Sequence, residues 1–191
     1  MNFRKPKIRL SAIERTAYHE AGHVVADYIV GFEIEYATII PDEDSNGHVQ
    51  SKEFANYYYE GFRLYHINDY QLAFNSIIVN LAGYLSERKA TGKGKLLVDL
   101  GDYGSSLDLF KAFKISNNLR DAMMGTAEGY LCDIFNQERP WELVKLIAAS
   151  LLERKTLTGQ EITEIIENSN FHIRRKTKKP RSAVLSAENV S

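Results

Sequence analysis

A mainly α-helical domain with a small β-sheet, an α+β arrangement, is what the sequence predicts, on three observations. Apolar residues recur at helical spacing through most of residues 11–167, with recognisable start and stop signals. One short stretch, residues 35–51, is instead strand-forming around a turn. The 191 residues suit one domain with a real core better than two large ones.

Ser11-Ala12-Ile13-Glu14 has the form of a capping box, in which the serine hydroxyl and the glutamate each satisfy a backbone N–H at a helix start. Ile13, Ala17, Val24 and Tyr28 continue at helical spacing, so the first helix is predicted to run to Val30 with Gly31 as its stop. Gly22 inside it costs about 1 kcal/mol relative to alanine, which calls for a close neighbour there. Tyr36, Thr38, Ile39 and Ile40 favour a strand over residues 35–40, residues 41–47 are turn chemistry, and residues 48–51 return as a second strand. Tyr57, Tyr58 and Tyr59 form an aromatic cluster of the packing or gripping kind. Leu72, Ile77, Ile78, Leu81, Ala82 and Leu85 predict a helix over residues 70–90, ended by Thr91-Gly92-Lys93-Gly94. That glycine pair lacks the Walker spacing needed to bind phosphate.

Further helices are expected over residues 107–117, capped by Ser105 or Ser106, and over 119–136. Pro140 sits near the start of another, residues 141–155. Thr158 with Gln160 and Glu161 opens a last one, ending near Glu167. The organisation is therefore an N-terminal arm, residues 1–10, a domain over 11–167, and a basic, flexible tail over 168–191.

A formal charge of −1 supplies no broad field for nucleic acid or an acidic membrane, so no nucleic-acid partner is expected. The single cysteine, Cys132, reads as a packed thiol and fits a reducing compartment. No secretory signal follows the basic N-terminus, and no apolar run approaches the roughly 20 residues of a transmembrane helix. A cytoplasmic location is the expectation.

The chemistry concentrates at His19-Glu20-Ala21-Gly22-His23, an HExxH motif on the first predicted helix. Histidines at i and i+4 share one face and can hold one zinc ion. Glu20 is then placed to take a proton from water at the ion's open position and pass it to a leaving amine. A third ligand is required, and the extended motif with a third histidine is absent from residues 24–29. Glu87, Asp99, Asp102 and Asp108 are the downstream carboxylates available, and spacing does not choose among them. His48 and His66 have no partner at ligand spacing, and His172 begins the basic tail.

Four segments, in order, resemble the peptidase domain of the FtsH family of ATP-dependent zinc peptidases. Residues 16–23, TAYHEAGH, are similar to that family's HEAGH helix, and Ala37-Thr38-Ile39-Ile40-Pro41 with Gly47 to its substrate-edge strand. Residues 81–87, LAGYLSE, resemble its LAGRxAEE helix, with Tyr84 in place of the arginine, and residues 151–162 its closing LLExETLxGEE segment. The resemblance implies a helical, zincin-like fold and makes the third ligand Asp108, in Gly104-Ser105-Ser106-Leu107-Asp108, the best match to the family's GAxNDLxxA segment. It also implies Asn46, Gly47, His48 and Val49 as the edge that binds an extended substrate by strand addition.

The expectation is thus a zinc-dependent endopeptidase acting on unfolded or flexible polypeptides, with His19, His23 and Asp108 as ligands and Glu20 as general base and acid. With ten residues before Ser11, it is expected to stand without the family's ATPase module. A partner ATPase and a homo-oligomeric ring are then possible associates. The rival reading is a metal-binding regulatory or interaction module, active only with a partner or proteolytically lapsed. Glu20 argues against lapse, since a purely structural metal site needs no base.

Overall fold

Ser11 opens the first helix, α1 (Ala12–Val30), by the capping box its sequence predicts. Its Oγ accepts from the Glu14 N–H at 3.4 Å, and the Glu14 carboxylate accepts from the Ser11 N–H at 2.7 Å. Gly31 ends the helix at φ 88°, donating its N–H to the Asp27 carbonyl at 2.9 Å. That left-handed conformation is one glycine adopts without a Cβ penalty. The structure, a computed structural model, describes residues 9–43, 45–52, 67–92, 100–112, 114–169 and 171. The tyrosines at 57–59, His66, residues 93–95, Asp99 and residues 172–191 of the tail, His172 among them, lie outside those residues.

Helix α1 is the spine of the domain. Ala17, Ala21, Val24 and Val25 are fully buried, where α1 packs against α2 (Ile67–Thr91) and α5 (Glu138–Arg154). The crossing with α2 is close because Gly22 faces it: a Cβ there would lie 2.5 Å from the Ala82 carbonyl oxygen and 2.6 Å from the Ser86 Cβ. Both neighbours belong to a helix that can yield only as a body, so Gly22→Ala is expected to destabilise the domain by about 1–3 kcal/mol. Chemical denaturation checks this, and an unchanged midpoint would contradict it.

The remaining helices among the described residues are α3 (Leu100–Ala112), α4 (Asn117–Asn136) and α6 (Gly159–Asn168). Phe135, Leu131, Leu143, Ile147, Leu151 and Ile162 fill the core between α4, α5 and α6. Tyr18 stacks on Trp141 with ring centroids 6.0 Å apart. The chain is mainly helical with a small three-stranded antiparallel sheet, as the sequence predicts.

The sheet, in the order β2-β1-β3, consists of β1 (Ile34–Thr38), β2 (His48–Ser51) and β3 (Thr156–Thr158). Ala37 lies opposite both Val49 and the buried Leu157, which together form its core face. On the other face the Thr38 and Thr156 hydroxyls meet at 2.8 Å. Strand β3 falls between the helix expected over residues 141–155 and the one Thr158 opens, where three residues are too few for an alternation to register.

Several helix boundaries also differ from expectation, among them the start of α2 at Ile67 and the end of α3 at Ala112. Helix α5 begins at Glu138, which puts Pro140 in its first turn, where its missing N–H costs nothing. More consequentially, α3 begins at Leu100 and not at Leu107. Ser105 and Ser106 therefore lie inside the helix and not at its start. Among the described residues no helix is long and apolar enough to cross a membrane.

Candidate metal centre

One helical turn separates His19 from His23 on α1, and their rings meet edge to face with centroids 4.8 Å apart. Asp102, in the first turn of α3, completes the group. Its Oδ2 lies 2.8 Å from His19 Nε2 and 3.2 Å from His23 Nε2. The three donor atoms all fall within 4.8 Å of one another, so His19, His23 and Asp102 can hold a metal ion. Donors around a four-coordinate ion with bonds of about 2.0–2.2 Å sit roughly 3.3 Å apart, so the trio needs little opening to admit one.

The surroundings fit the same purpose. Gly83 of α2 faces the two imidazoles, and a Cβ there would lie 2.3 Å from His23 Nε2 and 2.6 Å from His19 Nε2. Glycine thus keeps free the space in front of both donor nitrogens. His23 Nδ1 donates to the Val79 carbonyl at 2.8 Å, which fixes the tautomer that leaves Nε2 for an ion. His19 Nδ1 lies 3.8 Å from a Glu87 oxygen, and Arg15 stands 3.8 Å from the same carboxylate. Glu87, one of the carboxylates open as a third ligand, is instead the outer partner of His19.

Asp108, which the family resemblance implied, is not brought to the histidines. Six residues beyond Asp102 on one helix, it lies about 240° further round the axis. Its side chain is 66% exposed and pairs with Lys111 at 2.8 Å. Asp102, Ser106 and Phe110 share the inward face, and the latter two are buried. The early start of α3 is what turns Asp102 inward. Asp102→Ala is accordingly expected to weaken binding of an added divalent metal ion and Asp108→Ala to leave it unchanged in a competition titration. The reverse outcome would contradict the assignment.

Glu20 is 4% exposed, between the two histidines in sequence and beneath the β1–β2 connection. A Cβ on Gly47 would come 3.0 Å from Glu20 Oε1 and 2.7 Å from the Thr38 carbonyl oxygen, so Gly47 lets the chain pass directly over the carboxylate. Of the neighbouring positions expected at the substrate edge, Asn46 is exposed at a bend and His48 opens β2 at the sheet's edge. His48 Nε2 meets the Tyr36 hydroxyl at 2.8 Å and its Nδ1 lies 3.5 Å from Asp42. Val49 is partly buried and packs against the core, so its side chain belongs to the sheet's inner face.

Burial opposes charge on His19, but hydrogen bonds to Asp102 and Glu87 and the fields of Glu20 and Asp102 outweigh it, raising its pKa to about 10. His23 is likewise raised on balance, burial being overcome chiefly by Asp102. Burial would raise Asp102, yet the two histidines hold it well below the usual carboxylate range. Glu20 is raised by burial, with His23 and His19 opposing in part.

These directions fix the pH dependence of metal uptake. The raised pKa favours the charged, doubly protonated ring of metal-free His19 at pH 7, and an ion needs the neutral ring, so uptake must expel that second proton. Affinity should rise with pH by about tenfold per unit for each proton displaced, and fall as pH falls. Calorimetry in buffers of different ionisation heat checks this, since it reads released protons directly. A pH-independent affinity between pH 6 and 8 would contradict it.

Fold and site define an α+β protein carrying a His/His/Asp group able to bind a metal ion. No protein-family model matches the chain, and no curated protein matches it significantly.

Proposed function

We propose that the chain is a zinc-dependent endopeptidase for unfolded or flexible polypeptides. The observation that carries this reading is the buried Glu20 beside a His/His/Asp group on an HExxH helix. Such a carboxylate has no use in a purely structural site and a direct one in hydrolysis. Zinc held by His19, His23 and Asp102 would polarise a scissile carbonyl and bring the pKa of a water there towards neutrality. Glu20, raised by its burial, takes the proton of the attacking water and returns it to the departing amine. Strand β2, at the edge of the sheet among the described residues, offers backbone groups along which an extended peptide can align, with Gly47 over Glu20. The four FtsH-like segments support the same reading. A partner ATPase would serve to deliver unfolded chain, and the cytoplasm is the compartment this reading assigns.

Digestion of casein and of a stably folded protein, each with added zinc, tests the proposal. Casein should be cut slowly, and the folded protein only as often as it opens locally. Casein left intact with every divalent metal tried would replace the peptidase by a metal-binding regulatory module.

A further inference from the structure

A ligand in the first turn of a helix is weakly held by the helix itself. The first turn has few intrahelical bonds, and Gly101 and Gly104 each cost α3 about 1 kcal/mol of helix propensity relative to alanine. Asp102 stands in that turn, yet its carboxylate must be held to within about half an ångström to serve as a metal ligand. Something outside α3 has to fix it.

The interface between α2 and α3 contains a buried polar pair, Asn80 at 7% exposure and Ser106 at 0%. Asn80 Nδ2 donates to Ser106 Oγ at 3.1 Å, and Ser106 Oγ donates in turn to the Asp102 main-chain carbonyl at 3.2 Å. The hydroxyl thus gives its proton to the turn that carries the ligand and receives one from α2. Asn80 is also placed next to Val79, whose carbonyl accepts from His23 Nδ1, and three residues before Gly83, which faces both imidazoles. One segment of α2 therefore touches all three members of the metal group, directly or through Ser106. Two polar side chains buried in a helix interface cost stability unless paired.

We infer that Asn80 and Ser106 are positioning residues for the metal centre, a latch that holds the first turn of α3 so that Asp102 meets His19 and His23. The inference rests on the reading of those three residues as a metal site. Its signature is that the latch acts through Asp102 and through nothing else at the site.

The test is zinc affinity by competition titration, together with the visible spectrum of the cobalt-substituted protein. Ser106→Ala and Asn80→Ala should each weaken zinc binding about ten- to hundredfold, the range typical of outer-shell changes, and alter the cobalt bands. Ser106→Thr, which keeps the hydroxyl, should restore most of the affinity. In an Asp102→Ala background, Ser106→Ala should have no further effect on affinity, whereas a merely structural role would lower it again. Because a lone buried amide or hydroxyl can unfold the domain, the paired change Asn80→Leu with Ser106→Ala supplies a variant with no orphaned polar group. It should fold and show the same loss. Wild-type zinc affinity with unaltered cobalt bands in these variants, or losses that persist without Asp102, would overturn the latch alone. Failure of the wild-type chain to bind zinc or cobalt at all would overturn the metal site and the latch with it.

Discussion

His19→Ala and His23→Ala are each expected to abolish stoichiometric zinc binding. Either change removes one of the three donors and leaves Asp102 facing a single imidazole. Outer-shell changes at metal sites cost about 10–100-fold in affinity, and loss of a donor should exceed that. His23→Ala should be the more disruptive to the fold, because His23 is buried and bonded to the Val79 carbonyl while His19 lies nearer the surface. Metal analysis after dialysis gives the result, with circular dichroism to establish that the variants fold. Zinc retained at one per chain in both would place the ion elsewhere.

Glu20→Gln is expected to keep zinc and lose turnover by about 10²–10⁴-fold, the usual contribution of a positioned general base. Glutamine has the same shape, so the contact beneath Gly47 survives, and Glu20 is not among the donors. What the amide lacks is the ability to take a proton. The measurement is the rate of peptide cleavage at matched zinc occupancy. Equal rates would remove Glu20 from the chemistry, and a parallel loss of zinc would make it a ligand.

The histidine pair and its glutamate were legible because a helix writes its contacts into local spacing: i and i+4 meet wherever the helix goes. The capping box at Ser11 and the stop at Gly31 were local in the same sense. Asp102 was open among four carboxylates because it reaches the site from a separate helix, 83 residues beyond His19. Choosing it required the register of α3. Asp108 was implied by the likeness of residues 104–112 to the family's GAxNDLxxA segment, and the glycine and serines of residues 104–106 look like a helix start. Tertiary contacts overrode that local preference, since Ser106 is bonded to Asn80 and Phe110 is buried. Gly22 announced a close approach without naming Ala82 as the neighbour. The role of Gly83 could not be read at all, since it consists in the absence of a side chain in front of two imidazoles on another helix.

Casein digestion by one preparation, assayed as purified, after chelation and after zinc is returned, tests the central claim most directly. The account predicts cleavage that is lost with the metal, regained with about one zinc per chain, and missing throughout from Glu20→Gln. Full zinc occupancy with casein intact, or cleavage that survives chelation and Glu20→Gln alike, would contradict it.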